Sequence, residues 1–161
     1  MEKIRIGILG YGNLGKGAHL AAAQNPDMKV AGIFTRRDPS SVAPVLPAPV
    51  YAESEAERLR GEIDVLLLCG GSATDLPSQG PRFAQLFNTV DSFDTHAAIP
   101  DYFAAVDKAA KSGGNASLIS VGWDPGLFSL NRVYAQSVLP DGADYTFWGR
   151  GVSQGHSDAA R

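Results

Sequence analysis

Six residues near the amino terminus have the types and the spacing of a phosphate-binding loop. They form the run Gly10-Tyr11-Gly12-Asn13-Leu14-Gly15. In such a loop the first glycine permits a tight turn, the second lets the backbone approach a pyrophosphate, and the third lets a helix pack against a strand. The run follows an apolar segment and precedes a helix-like one, which is the context that the motif requires. The sequence therefore predicts a dinucleotide site here, and a purely structural turn is the alternative.

A second polar run, Thr35-Arg36-Arg37, ends the next predicted strand and bears on which dinucleotide binds. Sites that prefer NAD carry an acidic residue near this point, where it binds the ribose 2′-hydroxyl. Here two guanidinium groups replace that carboxylate, and arginine binds a phosphate through paired hydrogen bonds. We therefore expect NADP(H) and not NAD(H). Two alternatives stay open, because the arginines also fit a solvated turn and Asp38 also fits the acidic role.

Polar and small residues follow three later predicted strands, at the edge where open α/β sheets bind their ligands. The three runs are Cys69-Gly70-Gly71-Ser72-Ala73-Thr74-Asp75, Ser92-Phe93-Asp94-Thr95-His96 and Gly122-Trp123-Asp124-Pro125-Gly126. Small residues in the first run would let the ribose and phosphates of a cofactor pass close by. Asp94 and Asp124 are expected to converge near the nicotinamide end.

Two carboxylates at that end suit a cationic substrate group such as an ammonium, and either suits a base that acts on an amine. The run Asp124-Pro125-Gly126 is also an ordinary turn signal. Cys69 is the type of residue that packs as a small hydrophobe more often than it reacts. The chemistry of Asp94 and Asp124 is therefore weighed against plain structural roles.

The three histidines give a weaker signal. His19 is expected on the surface of a helix, and His96 fits a loop residue as well as a catalytic one. No His/Cys cluster has metal-ligand spacing, so we expect no metal.

Alternating strands and helices must position these groups. Strands are predicted at 4–9, 29–35, 63–69, 88–92 and 116–121, and helices at 16–24, 54–60, 80–87 and 100–111. Residues 40–50 are predicted to form a loop. The apolar face of the last of these helices is predicted to consist of Tyr102, Phe103, Val106 and either Ala109 or Ala110. This alternation is typical of an α/β fold, a Rossmann-type doubly wound parallel sheet. After residue 121 the pattern changes to a turn, a helix at 127–138 and a strand at 144–148.

Composition limits the remaining choices. The net charge of −3 argues against a nucleic-acid binder, which usually carries a basic stripe. No apolar run approaches the roughly 20 residues that a membrane helix needs. The single cysteine cannot form an internal disulfide, and the amino terminus does not resemble a signal peptide, so a cytoplasmic location is expected.

Taken together, these runs resemble meso-diaminopimelate dehydrogenase. The glycine loop, Phe34-Thr35-Arg36-Arg37, Gly71-Ser72-Ala73-Thr74-Asp75 and Gly122-Trp123-Asp124-Pro125-Gly126 carry the resemblance, together with Asn131-Arg132-Val133-Tyr134, Thr146-Phe147-Trp148-Gly149 and Ser153-Gln154-Gly155-His156-Ser157-Asp158. The likeness covers the chain from Ile4 onward. It implies a Rossmann domain over residues 1–121, and over 122–161 the beginning of an α+β substrate and dimerisation domain.

The resemblance also implies a reaction, the reversible NADP-dependent oxidative deamination of the D-centre of meso-2,6-diaminopimelate to L-2-amino-6-oxopimelate and ammonia. Cofactor contacts are implied for the glycine loop and for Thr35, Arg36, Arg37, Cys69, Gly70, Gly71, Ser72, Ser92, Phe93, Asp94, Val121, Gly122, Trp123, Asp124 and Pro125. Asp94 and Asp124 would contact the reacting amino group, and Trp148 and Gln154 the rest of the substrate. This step belongs to lysine and peptidoglycan precursor metabolism.

Members of this family are about twice as long as this chain. We expect a second polypeptide to supply the rest of the substrate domain, within a homo- or hetero-oligomer. A truncated fragment and a non-catalytic NADP(H)-binding module or redox sensor are alternatives. A third alternative, an imine or keto-acid reductase related to dihydrodipicolinate reductase, fits the run Gly122-Trp123-Asp124-Pro125-Gly126 poorly.

Overall fold

The structure, a computed structural model, describes residues 2–142. The strands are β1 (Ile4–Leu9), β2 (Met28–Thr35), β3 (Val50–Ala52), β4 (Val65–Leu68), β5 (Asn88–Asp91) and β6 (Ser117–Leu118). The helices are α1 (Asn13–Gln24), α2 (Leu76–Ala84), α3 (Ile99–Gly113) and α4 (Phe128–Val138).

All six strands belong to one parallel sheet with the order β3-β2-β1-β4-β5-β6. The chain builds one half of the sheet outward from β1 to β3, then crosses over and builds the other half from β4 to β6. This is the doubly wound Rossmann order, so the predicted α/β fold class is confirmed. The switch point lies between β1 and β4, and the carboxyl ends of all strands meet at one edge.

Both faces of the sheet are covered, which is why its central strands are apolar almost throughout. On one face Ile8 and Ile33 are fully buried in a cluster that includes Tyr11. On the other face Phe34 and Phe83 are fully buried in a larger cluster, to which α2 and α3 contribute.

Three predicted helices differ from the structure in detail. Helix α2 runs from Leu76 to Ala84 and not over 80–87, because a proline is tolerated in the first helical turn, where its missing N–H is not needed. In α3 the buried face consists of Tyr102, Val106 and Ala110. The prediction that Phe103 lies on this face is wrong, since that side chain is 57% exposed. The predicted helix at 54–60 is a pair of 3-10 turns, Glu53–Glu55 and Glu57–Glu62.

One predicted loop and one predicted strand also differ from the structure. The predicted loop at 40–50 ends in the short edge strand β3, which pairs with the last three residues of β2. The predicted strand at 116–121 is regular only over Ser117–Leu118. It ends there because Ser120 adopts φ +58°, which is outside extended geometry.

Helix α4 differs from the other three helices, because none of its residues is buried. Leu130, Val133 and Tyr134 are 67%, 65% and 69% exposed. The predicted strand at 144–148 lies outside the described residues, and a domain division at residue 122 stays a prediction. Within the described part of the chain, no helix is long and apolar enough to cross a membrane.

Candidate functional site

The glycine loop has the geometry that its sequence predicts. Gly10 adopts φ +92°, and a Cβ atom there would lie 3.1 Å from the backbone of Cys69. A Cβ atom at Gly15 would overlap the carbonyl oxygen of Gly10, so this glycine lets α1 pack against β1. Nothing lies within 4 Å of a Cβ atom at Gly12, which leaves the backbone open. Helix α1 begins directly after it, with no acidic residue in its first turn. The loop therefore presents free N–H groups and a positive helix end, which suit a phosphate.

Tyr11, the second residue of this loop, anchors it from inside. Its side chain is buried, and its hydroxyl lies 2.8 Å from Nδ1 of His19. The same hydroxyl accepts a hydrogen bond from the Val45 N–H at 3.0 Å. The prediction that His19 lies on the helix surface is wrong, because the residue is only 2% exposed and faces the tyrosine. Burial lowers the pKa of His19.

The two arginines after β2 lie beside the glycine loop and the loop after β4. Thr35 is buried, and its hydroxyl accepts the Arg37 N–H at 3.1 Å. The guanidinium of Arg37 donates to the carbonyl of Tyr11 at 3.2 Å. Arg36 forms an ion pair with Asp75 at 2.8 Å and remains two-thirds exposed. Asp38 has a different partner, since its carboxylate accepts the Ser40 N–H and caps a 3-10 turn.

A cavity of about 280 Å³ opens next to Arg36. It is lined by Thr35, Arg36, Ala52, Glu53, Ser54 and Arg82. Glu53 accepts hydrogen bonds from Arg82 at 3.2 Å and from Gln79 at 3.0 Å. The sequence analysis did not single out Glu53 or Arg82, because the strand that brings Glu53 to this edge, β3, was not predicted. The cavity combines two guanidinium groups with one carboxylate that already has partners.

The loop after β4 is as closely packed as its small residues predict. A Cβ atom at Gly70 would lie 2.6 Å from Oε1 of Gln79. Cys69 is the last residue before this turn, and burial raises the pKa of its thiol to about 12. A thiol with that pKa is protonated at neutral pH, which supports the packing role weighed above. The Asp75 carboxylate closes the turn by accepting the Gly71 N–H at 2.9 Å.

Ser72 joins the loop after β4 to the loop after β5. Its hydroxyl accepts the N–H of Asp94 at 2.8 Å and the N–H of Thr95 at 3.2 Å. The position of Asp94 therefore depends on the same small-residue turn that faces the glycine loop.

Asp124 lies beside His96, in the loop that follows β6. Its Oδ1 is 3.8 Å from Nε2 of His96, and its side chain is 8% exposed. His96 is two residues from Asp94 along the chain, so the structure brings the loop of Asp94 next to Asp124 through this histidine. The expected contact between both carboxylates and one amino group stays a prediction. Trp148 and Gln154 lie outside the described residues.

Asp91 is a buried carboxylate that the sequence did not single out. It is the last residue of β5 and is 2% exposed. One oxygen accepts the N–H groups of Phe93 and Ser120, each at 3.0 Å. The other oxygen accepts the Tyr102 hydroxyl at 2.6 Å. Sequence reasoning overlooked it because an aspartate at a strand end is an ordinary surface residue. In the structure Thr89 and Asp91 are the buried residues of β5 and Val90 is not, so the residue types Asn-Thr-Val-Asp gave no signal that Asp91 points inward.

Among the described residues, no group of three or more His, Cys, Asp or Glu side chains is arranged to hold a metal ion. The site consists of a glycine loop that suits a phosphate, arginines after β2 in one half of the sheet, and aspartates after β5 and β6 in the other half.

Comparison with known proteins identifies relatives of the whole chain. Residues 122–161 match the family model described as the diaminopimelic acid dehydrogenase C-terminal domain. The meso-diaminopimelate D-dehydrogenase of Lysinibacillus sphaericus is 64% identical over 161 residues, which are 100% of this chain and 49% of that protein. The resemblance inferred from the motifs is confirmed by this match.

Two solved structures share the fold closely. The DAP dehydrogenase of Corynebacterium glutamicum in complex with DAP is 48% identical, with a TM-score of 0.83 over 99% of this chain and 48% of that chain. An engineered D-amino acid dehydrogenase bound to NADP⁺ is 46% identical, with a TM-score of 0.82 over 98% of this chain and 48% of that one. The chain thus spans about half the length of the relatives that it matches.

Proposed function

We propose that this chain is the NADP(H)-binding half of a meso-diaminopimelate D-dehydrogenase. The observation that carries the proposal is the match to such an enzyme, which is 64% identical and covers all 161 residues of this chain. That identity spans the glycine loop, the arginines and both strand-end aspartates, which lie at the carboxyl edge of one sheet.

The cofactor is NADP(H), and the chain's own groups fit it. The glycine loop and the N-terminus of α1 bind the pyrophosphate through backbone N–H groups. Arg36 and Arg37 bind the 2′-phosphate, the group that distinguishes NADP from NAD. The presence of NADP⁺ in the engineered D-amino acid dehydrogenase supports this assignment. The runs 69–72, 92–94 and 121–125 line the path toward the nicotinamide.

The reaction is the oxidative deamination of the D-centre of meso-2,6-diaminopimelate, which consumes one NADP⁺ and one water and gives L-2-amino-6-oxopimelate, ammonia, NADPH and a proton. When bound, NADP⁺ supplies the acceptor for the hydride that leaves the α-carbon. Asp94 and Asp124 bind the amino group at that carbon, because two carboxylates attract an ammonium. One of them takes a proton as the amine is converted, which is the role of a general base.

The remaining substrate contacts come from sequence beyond the described residues. Trp148 and Gln154 bind the rest of the substrate. A second polypeptide, or further sequence of the same one, supplies the groups that hold the distal L-amino-acid end. The chain's length relative to its relatives supports this division.

Cofactor choice is tested by titrating the chain with NADPH and with NADH. We expect NADPH to bind more tightly, and the double variant Arg36→Ala/Arg37→Ala to lose about tenfold or more in NADPH affinity with little change for NADH. Arg58→Ala is the matched control, since Arg58 is exposed and pairs with Glu55. Equal affinities of the unmodified chain for the two cofactors contradict the assignment.

Catalysis is tested on the protein isolated from its source. Native mass spectrometry identifies any second polypeptide, and an NADP⁺ assay with meso-diaminopimelate measures turnover. Asp94→Asn and Asp124→Asn are expected to abolish most turnover while NADPH still binds. Tight NADPH binding without turnover in every natural complex would favour the alternative of a redox sensor or regulatory module.

A further inference from the structure

We propose that Asp91 is a positioning residue that sets the two turns carrying Asp94 and Asp124. This inference rests on the proposed function, because it concerns how that same site is built. The carboxylate itself lies behind the turns, in the interior at the end of β5. It contacts backbone groups of both turns at once.

The hydrogen bonds of Asp91 join two segments that are far apart in the chain. Oδ1 accepts the N–H of Phe93, one residue before Asp94, and the N–H of Ser120, four residues before Asp124. The backbone carbonyl of Asp91 accepts the Val121 N–H at 2.8 Å. A single residue therefore fixes where each turn leaves the sheet.

The backbone of Ser120 indicates that the turn leading to Asp124 needs a stabilising contact. It has φ +58°, a left-handed backbone that a residue with a side chain rarely adopts. Its hydroxyl is buried and has no hydrogen-bond partner among the described residues. The serine side chain therefore does not stabilise this conformation, whereas the bond from its N–H to Asp91 does.

Helix α3 orients the carboxylate from behind. Tyr102 donates its hydroxyl to Oδ2, and its ring stacks on Phe93 with 4.0 Å between centroids. Gly80 of α2 leaves room for that hydroxyl, because a Cβ atom there would overlap it. With Oδ2 held by the tyrosine, Oδ1 faces the two turns.

The position of β5 in the sheet makes this role separable from general stability. A dinucleotide spans the switch point of a Rossmann sheet, with its adenosine over the β2 side and its nicotinamide over the other half. Strands β1 and β4 separate β5 from β2, which is about 14 Å at the usual strand spacing. Loss of Asp91 should therefore affect the nicotinamide side and spare the adenosine side.

The test compares two ligands on the full 161-residue chain and on three variants. NADPH occupies both halves of the site, whereas adenosine 2′,5′-bisphosphate occupies the adenosine half alone. For Asp91→Ala we expect about tenfold weaker NADPH binding and less than about twofold change for the bisphosphate. Asp91→Asn should recover most of the loss, because its amide oxygen still accepts both N–H groups. Tyr102→Phe, which keeps those two bonds, should have the smaller effect.

Amide hydrogen exchange of the ligand-free chain is the second measurement. In Asp91→Ala the Phe93 and Ser120 amides should exchange about tenfold faster, while Ala22 in α1 stays unchanged. Unaltered exchange at both turns would overturn the proposal, as would equal weakening of both ligands or unaltered NADPH binding. If the unmodified chain binds neither ligand, the proposed function fails, and the exchange data alone decide whether Asp91 holds the turns.

Discussion

The sheet and helix α4 place similar apolar side chains in opposite surroundings. Ile8, Ile33 and Leu66 in the strands are fully buried. Leu130 and Val133 in α4 are about two-thirds exposed, although their spacing is that of an amphipathic helix. Burial of apolar area stabilises a fold, and apolar periodicity by itself does not. Within residues 2–142 the sheet and its three flanking helices therefore bury most of the apolar area, and α4 buries little.

The largest effect is expected from creating a cavity in the core where α2 packs against the sheet. Phe83→Ala should lower the free energy of unfolding by about 3–5 kcal/mol, because a fully buried phenyl group leaves a cavity. Urea unfolding measures this loss. Phe103→Ala is the matched control on the exposed side of α3 and should lower it by about 1 kcal/mol or less. Equal losses in the two variants would break the contrast between buried and exposed apolar groups.

A smaller effect is expected from overpacking the same core. Gly80→Ala pushes a methyl group against the Tyr102 hydroxyl and should lower the free energy of unfolding by about 1–3 kcal/mol. Gly17→Ala is the control in α1, where nothing lies within 4 Å of the new Cβ atom. That change should raise stability by about 0.5–1 kcal/mol, because glycine is a poor helix former. Unfolding curves that shift in the same direction for both variants would contradict this explanation.

A pH effect is expected from His19, and it should be smaller than the two packing effects. Its pKa is lowered in the folded chain, so the unfolded chain takes up the proton first as the pH falls below about 6.5. The contribution of the neutral, buried imidazole to stability is present above that pH and is lost as the pH falls.

Stability measured from about pH 8 to about pH 5.5 should therefore decrease, and His19→Gln should flatten the decrease. His96→Gln tests by the same measurement the other histidine within residues 2–142, which lies 3.8 Å from Asp124. A slope that survives in the His19 variant would assign the pH effect to other groups.

The smallest effect is expected in α4. Leu130→Ser should change the free energy of unfolding by no more than about 0.5 kcal/mol, because the leucine is already largely in water. A loss similar to that of Phe83→Ala, measured by the same urea titration, would show that α4 is covered in solution and would remove the contrast with the sheet.

The parts of the fold that sequence reasoning found are those with a repeated pattern or fixed local chemistry. The glycine loop and the start of α1 follow from steric needs at Gly10 and Gly15. Strand β3 was missed because it has three residues behind a proline-rich segment, and it exists through pairing with β2. Strand β6 was predicted too long because Ser120, whose N–H donates to the distant Asp91 carboxylate, leaves the extended conformation. Strand pairing and hydrogen bonds between distant residues leave no pattern in the local sequence.

The same limit applies to the candidate site. The arginines after β2 were recognised from their type and position, and the structure places them beside the glycine loop. Asp91 and His19 were not, because burial decides their role and a lone aspartate or histidine in a sequence carries no sign of burial. Their partners, Tyr102 and Tyr11, lie 11 and 8 residues away.

The Cys69 thiol provides a reporter of cysteine reactivity at the carboxyl edge of the sheet. It is the single cysteine in 161 residues, and it lies where β4 turns beneath the glycine loop. Alkylation requires the thiolate, which burial disfavours by raising the pKa to about 12. Because the residue is partly exposed, a maleimide should label it slowly through the small thiolate fraction. A ligand that covers the glycine loop and the turn after β4 should slow this labelling further.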